Sequence, residues 1–289
     1  HATAGWPAFT EWPSAPFSST HQVQYYRWLE RAYLGGLRLV VQHATSNQVI
    51  CDLLKGIGAQ PTRYECNDMV AVDRILAETR AMQDYIDAQE GGPGRGWFRI
   101  VESPAEARRV IRAGKMAVVL GIETSNLFDC FLVPPPGKAS CNEQDVLDAL
   151  DRYHALGVRA IFPVHKFDNA FSAGDGQKFF IELGNFVLTG HFSNFEPTCD
   201  PDVPSVFDRG PSSFPGLIEP RADFFAPPPV DTSNFPNDPL ATIVPWLGLL
   251  LEPPDGTEVC QAAGLTPLGE FLILEMMKRG MILEVDHLP

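Results

Sequence analysis

The chain has 289 residues, 45% of them hydrophobic, which is enough for one large α/β domain or two small ones. A formal net charge of -14 excludes nucleic acid and anionic membrane surfaces as principal partners. No apolar run approaches the roughly 18 residues of a membrane span. No signal peptide is visible, and His1 rather than Met opens the chain, so it reads as processed, trimmed or cut from a longer protein.

Residues 1–19, rich in Pro, Trp, Phe and Ser without a period, predict an irregular packed segment. Thr20 is a good N-cap for a helix over 21–34, whose Val23, Tyr26, Trp28, Leu29, Ala32 and Tyr33 fall at helical spacing. Gly35-Gly36 stops it. A strand follows over 37–43, ending at His43, and residues 48–66 predict a short helix and loop. A long helix is expected over 67–90, with Val72, Ile75, Leu76, Met82 and Ile86 on one face. Ser103-Pro-Ala-Glu106 reads as a capping box with Pro at the first helical position, opening a helix that runs to Gly114.

The segment Lys115–Asn126 is the most informative: an apolar, largely β-branched run leads into the single carboxylate Glu123. That pattern fits a strand buried on both faces, as in a parallel sheet, with Glu123 at its carboxyl end. Residues 128–140 form a loop around Pro134-Pro-Pro-Gly137, and Asn142 opens a helix closed by Gly157. Val158–His165 reads as a strand, with Pro163 near its end because Pro removes a ladder donor. The Pro- and Phe-rich stretch 171–265 breaks this rhythm and reads as a long insertion or loop region. Thr266-Pro267 then opens a helix to Arg279, Gly280 stops it, and 281–287 reads as a strand ending at His287.

The six cysteines group into three local pairs, 51 with 66, 130 with 141 and 199 with 260. An even count in loop-like sequence favours an exported, periplasmic or extracellular protein with disulfides, and the lack of C-x-x-C argues against a zinc ribbon or thioredoxin motif.

Four times the chain reads helix, glycine, apolar strand, polar residue, with strands starting after Gly36, Gly114, Gly157 and Gly280. Such alternation implies parallel strands joined by right-handed crossovers. The polar residues His43, Glu123, His165 and His287 then gather at one end of the sheet. A carboxylate with imidazoles suits zinc or a similar metal, which lowers the pKa of a bound water to about 7. Glu123 and His287 are the candidate metal ligands and His165, in the polar run Pro-Val-His-Lys-Phe-Asp-Asn, the candidate catalytic contact. His43 reads as a structural or supporting residue, and Glu284 and Asp286 flank Val285 so that one of them faces the site. No phosphate-binding glycine loop and no G-x-S-x-G elbow is present.

Three stretches resemble the membrane (renal) dipeptidases, which are amidohydrolase-type (β/α)8 barrels with two zinc ions. Ala117–Glu123 resembles the strand carrying the family's metal-bridging glutamate. Tyr153–Asn169 resembles its Gly-Val-Arg, strand and His-x-x-(Asp)-Asn segment, in which the histidine contacts substrate, and His165 matches that histidine. Met276–His287 resembles the segment ending in Asp-x-x-His, whose histidine binds metal; Glu284 here takes the aspartate position. The start of the chain is similar to a subgroup of large bacterial homologues of unassigned substrate. The resemblance is strong over 105–170 and 266–289. It also implies a His-x-Asp or His-x-His metal pair on the first strand, and a further histidine, arginine and aspartate after the last, none of which this sequence contains.

The expectation is therefore an α/β protein, a partial (β/α)8 TIM barrel corresponding to about its first half. Residues 1–289 form a single incomplete barrel domain, with 171–265 inserted. In the intact protein it hydrolyses amide or peptide bonds of a small, dipeptide-like substrate with metal-activated water and two Zn2+ ions. The isolated fragment is expected to be inactive. A homo-oligomer is compatible with this reading. The rival is a non-catalytic binding protein on a degenerate TIM barrel, with the Phe- and Pro-rich region as its recognition surface. A flavodoxin-like open sheet fits the alternation but not the Glu and His strand ends.

Overall fold

The structure is a computed structural model that describes residues 26–56, 65–175 and 263–289, with short pieces at 184–185, 187–190, 193, 195–196 and 260–261. The readings made on 1–25, on Cys199 and on most of the Pro- and Phe-rich stretch lie outside the described residues.

Helices and strands alternate. Helix α1 (Tyr26–Leu34) precedes strand β1 (Leu39–Ser46), and α2 (Gln48–Gly56) and the long α3 (Asp68–Gln89) lead to the short strand β2 (Phe98–Ile100). Then come α4 (Pro104–Arg112), β3 (Met116–Thr124), α5 (Glu143–Ala155) and β4 (Val158–Ile161). The pieces β5 (Phe195–Glu196) and β6 (Cys260–Gln261) pair antiparallel in a small separate sheet. Helix α6 (Pro267–Lys278) and strand β7 (Ile282–Leu283) follow. Four helices start where short polar side chains satisfy the orphan amides of the first turn: Asn67 accepts from Val70, Ser103 from Glu106, Asn142 from Gln144 and Asp145, and Thr266 from Gly269. At α4 the Glu106 carboxylate reaches back to the amide of Glu102, one residue before the cap.

The main sheet has five parallel strands; four of them, β1-β3-β4-β7, lie in chain order, and the short β2 pairs with β3 off that path. The whole of strand β1 pairs with β3, from Leu39 with Ala117 to Ser46 with Thr124. The other edge of β3 is shared, β2 pairing with Met116–Val118 and β4 with Leu120–Ile122. Alternation along β3 sorts its side chains onto two faces. Leu120 and Ile122 pack with Val72, Leu76, Leu150, Leu272 and Met276 of α3, α5 and α6, while Met116 and Val118 pack with Ile86, Trp97 and Phe98. Ala117, Val119, Gly121 and Glu123 face the other way. On that side Val119 lines an apolar groove of about 310 Å³ with Leu39, Ile282 and the α4 residues Ala107 and Ile111. It lies toward the amino ends of the strands, opposite Glu123.

Two of the expected disulfides are present, Cys51–Cys66 and Cys130–Cys141. Among the described residues, no helix is long and apolar enough to cross a membrane. The strand limits differ from the sequence reading. Strand β1 runs past His43 to Ser46 and β3 past Glu123 to Thr124, whereas β4 stops at Ile161 and β7 at Leu283, each four residues before its histidine. Pro163 accounts for the first shortfall, since it has no amide to continue the ladder. The edge strand β2 was not expected; three residues are too few to show a period.

Candidate metal centre

The site is assembled at the carboxyl ends of β3, β4 and β7. Glu123 is the penultimate residue of β3, in register with Thr45 on β1, whose hydroxyl donates to Glu123 Oε2 at 3.0 Å. The loops after β4 and β7 turn their histidines back over the sheet. His165 Nε2 stands 3.1 Å and His287 Nε2 3.4 Å from the same oxygen, Glu123 Oε1. The two imidazole centroids are 4.8 Å apart.

The loop carrying His165 is pinned by Asn169. Its side-chain amide donates to the carbonyls of Ser125 and Pro163, both at 2.9 Å, and its oxygen accepts from the amides of Phe171 and Ser172. The Lys166 amide donates to Ser125 Oγ, tying the loops after β3 and β4 together. From the other side Asp68, fully buried at the start of α3, accepts from the backbone and side-chain amides of Asn126. Burial raises the Asp68 pKa above the usual carboxylate value even though its hydrogen bonds pull it down.

The three groups set one another's charge. The His287 hydrogen bond holds Glu123 ionised, with a pKa down to about 2 against the opposing effect of burial; His165 and Thr45 add to it. Burial keeps His165 neutral, pushing its pKa down to about 4 despite the attraction of Glu123. His287 moves the other way: burial disfavours its charge, but contacts with Asp175 and Glu123 outweigh that and raise its pKa.

Among the described residues, Glu123, His165 and His287 are the one group that could hold a metal ion, with ligand atoms all within 4.8 Å of one another. Donors on a tetrahedral zinc at bond lengths of 2.0–2.1 Å stand about 3.3 Å apart, so the 3.1 and 3.4 Å separations match that spacing. Two imidazoles and a carboxylate are also the donor set of many catalytic zinc sites. The residues present therefore fit a zinc ion.

All three site residues singled out in the sequence come together. His43 does not join them. Its ring lies over Gly121, its Nε2 is 3.5 Å from Glu284 Oε1, and Phe162 meets it edge-on at 5.0 Å. Glu284, not Asp286, is thus the acid of that pair turned to this face. Sequence reasoning missed Thr45, Lys166 and Asp175. Thr45 was legible in principle, two residues after His43 on the same face of the strand. Lys166 and Asp175 reach the site through loop geometry that carries no periodic signal. His1, His21 and His191 lie outside the described residues. No family model matches the chain, and no curated protein matches it.

Proposed function

We propose that the chain belongs to a zinc-dependent hydrolase of amide bonds, dipeptidase-like in its chemistry, built on a (β/α)8 barrel to which the described sheet contributes the parallel strands β1, β3, β4 and β7. The observation that carries this reading is the convergence of Glu123, His165 and His287 at the carboxyl ends of three adjacent strands. Barrel enzymes place their chemistry at that rim. Apart from the three-residue β2, which shares an edge of β3 with β4, the order β1-β3-β4-β7 supports the barrel because these four strands run one way in chain order, without the reversal that the switch point of a doubly wound sheet requires. The sheet face bearing Glu123 supports it too, since Leu39, Val41 and Ile282 on that face are 51%, 38% and 45% exposed. That face is the one further strands of a barrel would enclose. The disulfides support an exported protein.

Glu123 and His287 would hold the ion, and the Thr45 hydroxyl fixes the carboxylate by engaging its second oxygen. A bound zinc supplies a water acidic enough to act as a nucleophile near neutral pH. His165, neutral and close to the ion, donates from Nε2 to the oxygen of the substrate carbonyl as negative charge develops there. Cleavage of the amide by water then yields a carboxylate and an amine. In the two-zinc form implied by the resemblance, Glu123 would be the shared ligand, and Thr45, whose hydroxyl donates to its Oε2, would orient that carboxylate. Further ligands for a second ion are not among the described residues.

A second reading for His165, as a third zinc ligand, is favoured by its 3.1 Å approach to Glu123. Against it, His165 Nδ1 is buried without a hydrogen-bond partner among the described residues, whereas metal-bound histidines almost always donate their other N–H outward. His165→Ala separates the two. Loss of turnover with zinc affinity unchanged supports substrate contact, and a large loss of zinc affinity makes it a ligand. The proposal as a whole is tested by hydrolysis of a panel of dipeptides and N-acyl amino acids by the zinc-loaded intact protein. Turnover that disappears in Glu123→Ala supports it; no turnover from a zinc-loaded wild type favours the non-catalytic binding protein instead.

A further inference from the structure

His287 presents two ring nitrogens, and the one turned away from Glu123 faces two groups of opposite character. Lys166 Nζ lies 3.4 Å from His287 Nδ1, and Asp175 Oδ2 lies 3.7 Å from the same atom. An ammonium only donates and a carboxylate only accepts. The two neighbours therefore ask for different tautomers of one ring.

Resting on the zinc reading above, we propose that Asp175 is the positioning residue that sets the His287 ring for metal binding, in competition with Lys166. A metal at Nε2 needs the lone pair there, so the ring proton must sit on Nδ1, where Asp175 is the group that accepts it. Lys166 donating to Nδ1 forces the reverse arrangement: the proton moves to Nε2 and points at Glu123 Oε1, 3.4 Å away, in the space the ion needs. The backbone holds Asp175 in place independently of its side chain, because the Asp175 amide donates to the His287 carbonyl at 2.9 Å. Phe162 and His165 flank the imidazole, with ring centroids 5.4 and 4.8 Å away, so the ring is confined while its proton is disputed. A separation of 3.7 Å is an ion-pair contact rather than a hydrogen bond. Positive charge bound at Nε2 makes Nδ1–H a stronger donor and draws the carboxylate in.

The test is zinc affinity, measured by competition with a chromophoric chelator, in the wild type, Asp175→Ala, Lys166→Met and the double variant. Asp175→Ala is expected to bind zinc about 10–100-fold more weakly, the usual cost of losing such an outer partner. Lys166→Met binds at least as tightly as wild type. The double variant recovers most of the loss, because no amine remains to claim Nδ1. Asp175→Asn keeps an acceptor and stays near wild type, which shows that the loop folds with a substituted side chain. Equal affinity of Asp175→Ala and wild type overturns the inference, as does a double variant as weak as Asp175→Ala. A wild type that binds no zinc overturns the metal reading itself, and so the two failures are distinguishable.

Discussion

Gly121 sits in the middle of the sheet, paired with His43 on β1 and with Ala160 on β4. A Cβ at this position would stand 2.4 Å from His43 Cδ2, 2.9 Å from His43 Nε2 and 3.2 Å from the Ala160 carbonyl oxygen. Carbon atoms pack at about 3.5–4.0 Å, so the imidazole would have to retreat by about an ångström. It is hemmed in by Phe162 at 5.0 Å between centroids and by Glu284 at 3.5 Å. Gly121→Ala is therefore expected to cost about 1–3 kcal/mol, the range for overpacking a filled site. Part of that strain falls on the β3–β4 pairing, two residues from Glu123, so zinc affinity falls as well. Urea denaturation followed by circular dichroism reads the cost, and a double-mutant cycle with His43→Ala assigns it. In the His43→Ala background the same substitution should cost about 1–2 kcal/mol less, the range of coupling between residues in contact. A Gly121→Ala protein as stable as wild type, or one whose loss is unchanged without His43, would refute the idea that this glycine exists to admit the imidazole.

Two further predictions concern stability. His165 titrates near 6.5 when unfolded and near 4 when folded. The unfolded chain therefore binds the extra proton between those values, and stability falls as pH drops from 6.5 toward 4, by up to about 3 kcal/mol. Melting temperatures of wild type and His165→Gln across that window test this, and parallel profiles count against it. Below about 4.5 the ionised Glu123 adds a second loss as pH falls toward its folded pKa of about 2. His287, raised by its partners, contributes in the opposite direction: its stabilisation is full below 6.5 and fades as pH rises through its folded pKa. The Cys130–Cys141 bridge closes a loop of 11 residues. Chain entropy assigns such a loop about 3 kcal/mol. The Cys130→Ala/Cys141→Ala variant should lose about 2–3 kcal/mol in urea denaturation, and an unchanged midpoint would contradict that.

Much of the fold could be read from local chemistry. Asn67, Ser103, Asn142 and Thr266 start their helices as expected because an N-cap needs only one short polar side chain and the next three amides. The apolar run at 116–122 became the central strand, short, bounded by Gly114 and buried on both faces. The ends of β4 and β7 were not legible, since they depend on where pairing partners stop and on Pro163. Glu123, His165 and His287 stood out as polar residues closing apolar runs. Their outer partners did not. Asp175 reaches His287 from the start of the Pro- and Phe-rich stretch, and Asp68 reaches the β3 loop from the first turn of α3. Both are long-range contacts fixed by packing, with no spacing in the sequence to announce them.

The central claim is that Glu123 and His287 bind a metal ion together, and zinc content tests it most directly. The chain is loaded with zinc, desalted and assayed by elemental analysis beside Glu123→Ala and His287→Ala. The account predicts retained zinc in the wild type and its loss in both variants, with all three folded by circular dichroism. Wild-type protein that emerges free of zinc, or a Glu123→Ala protein that keeps it, would contradict the account.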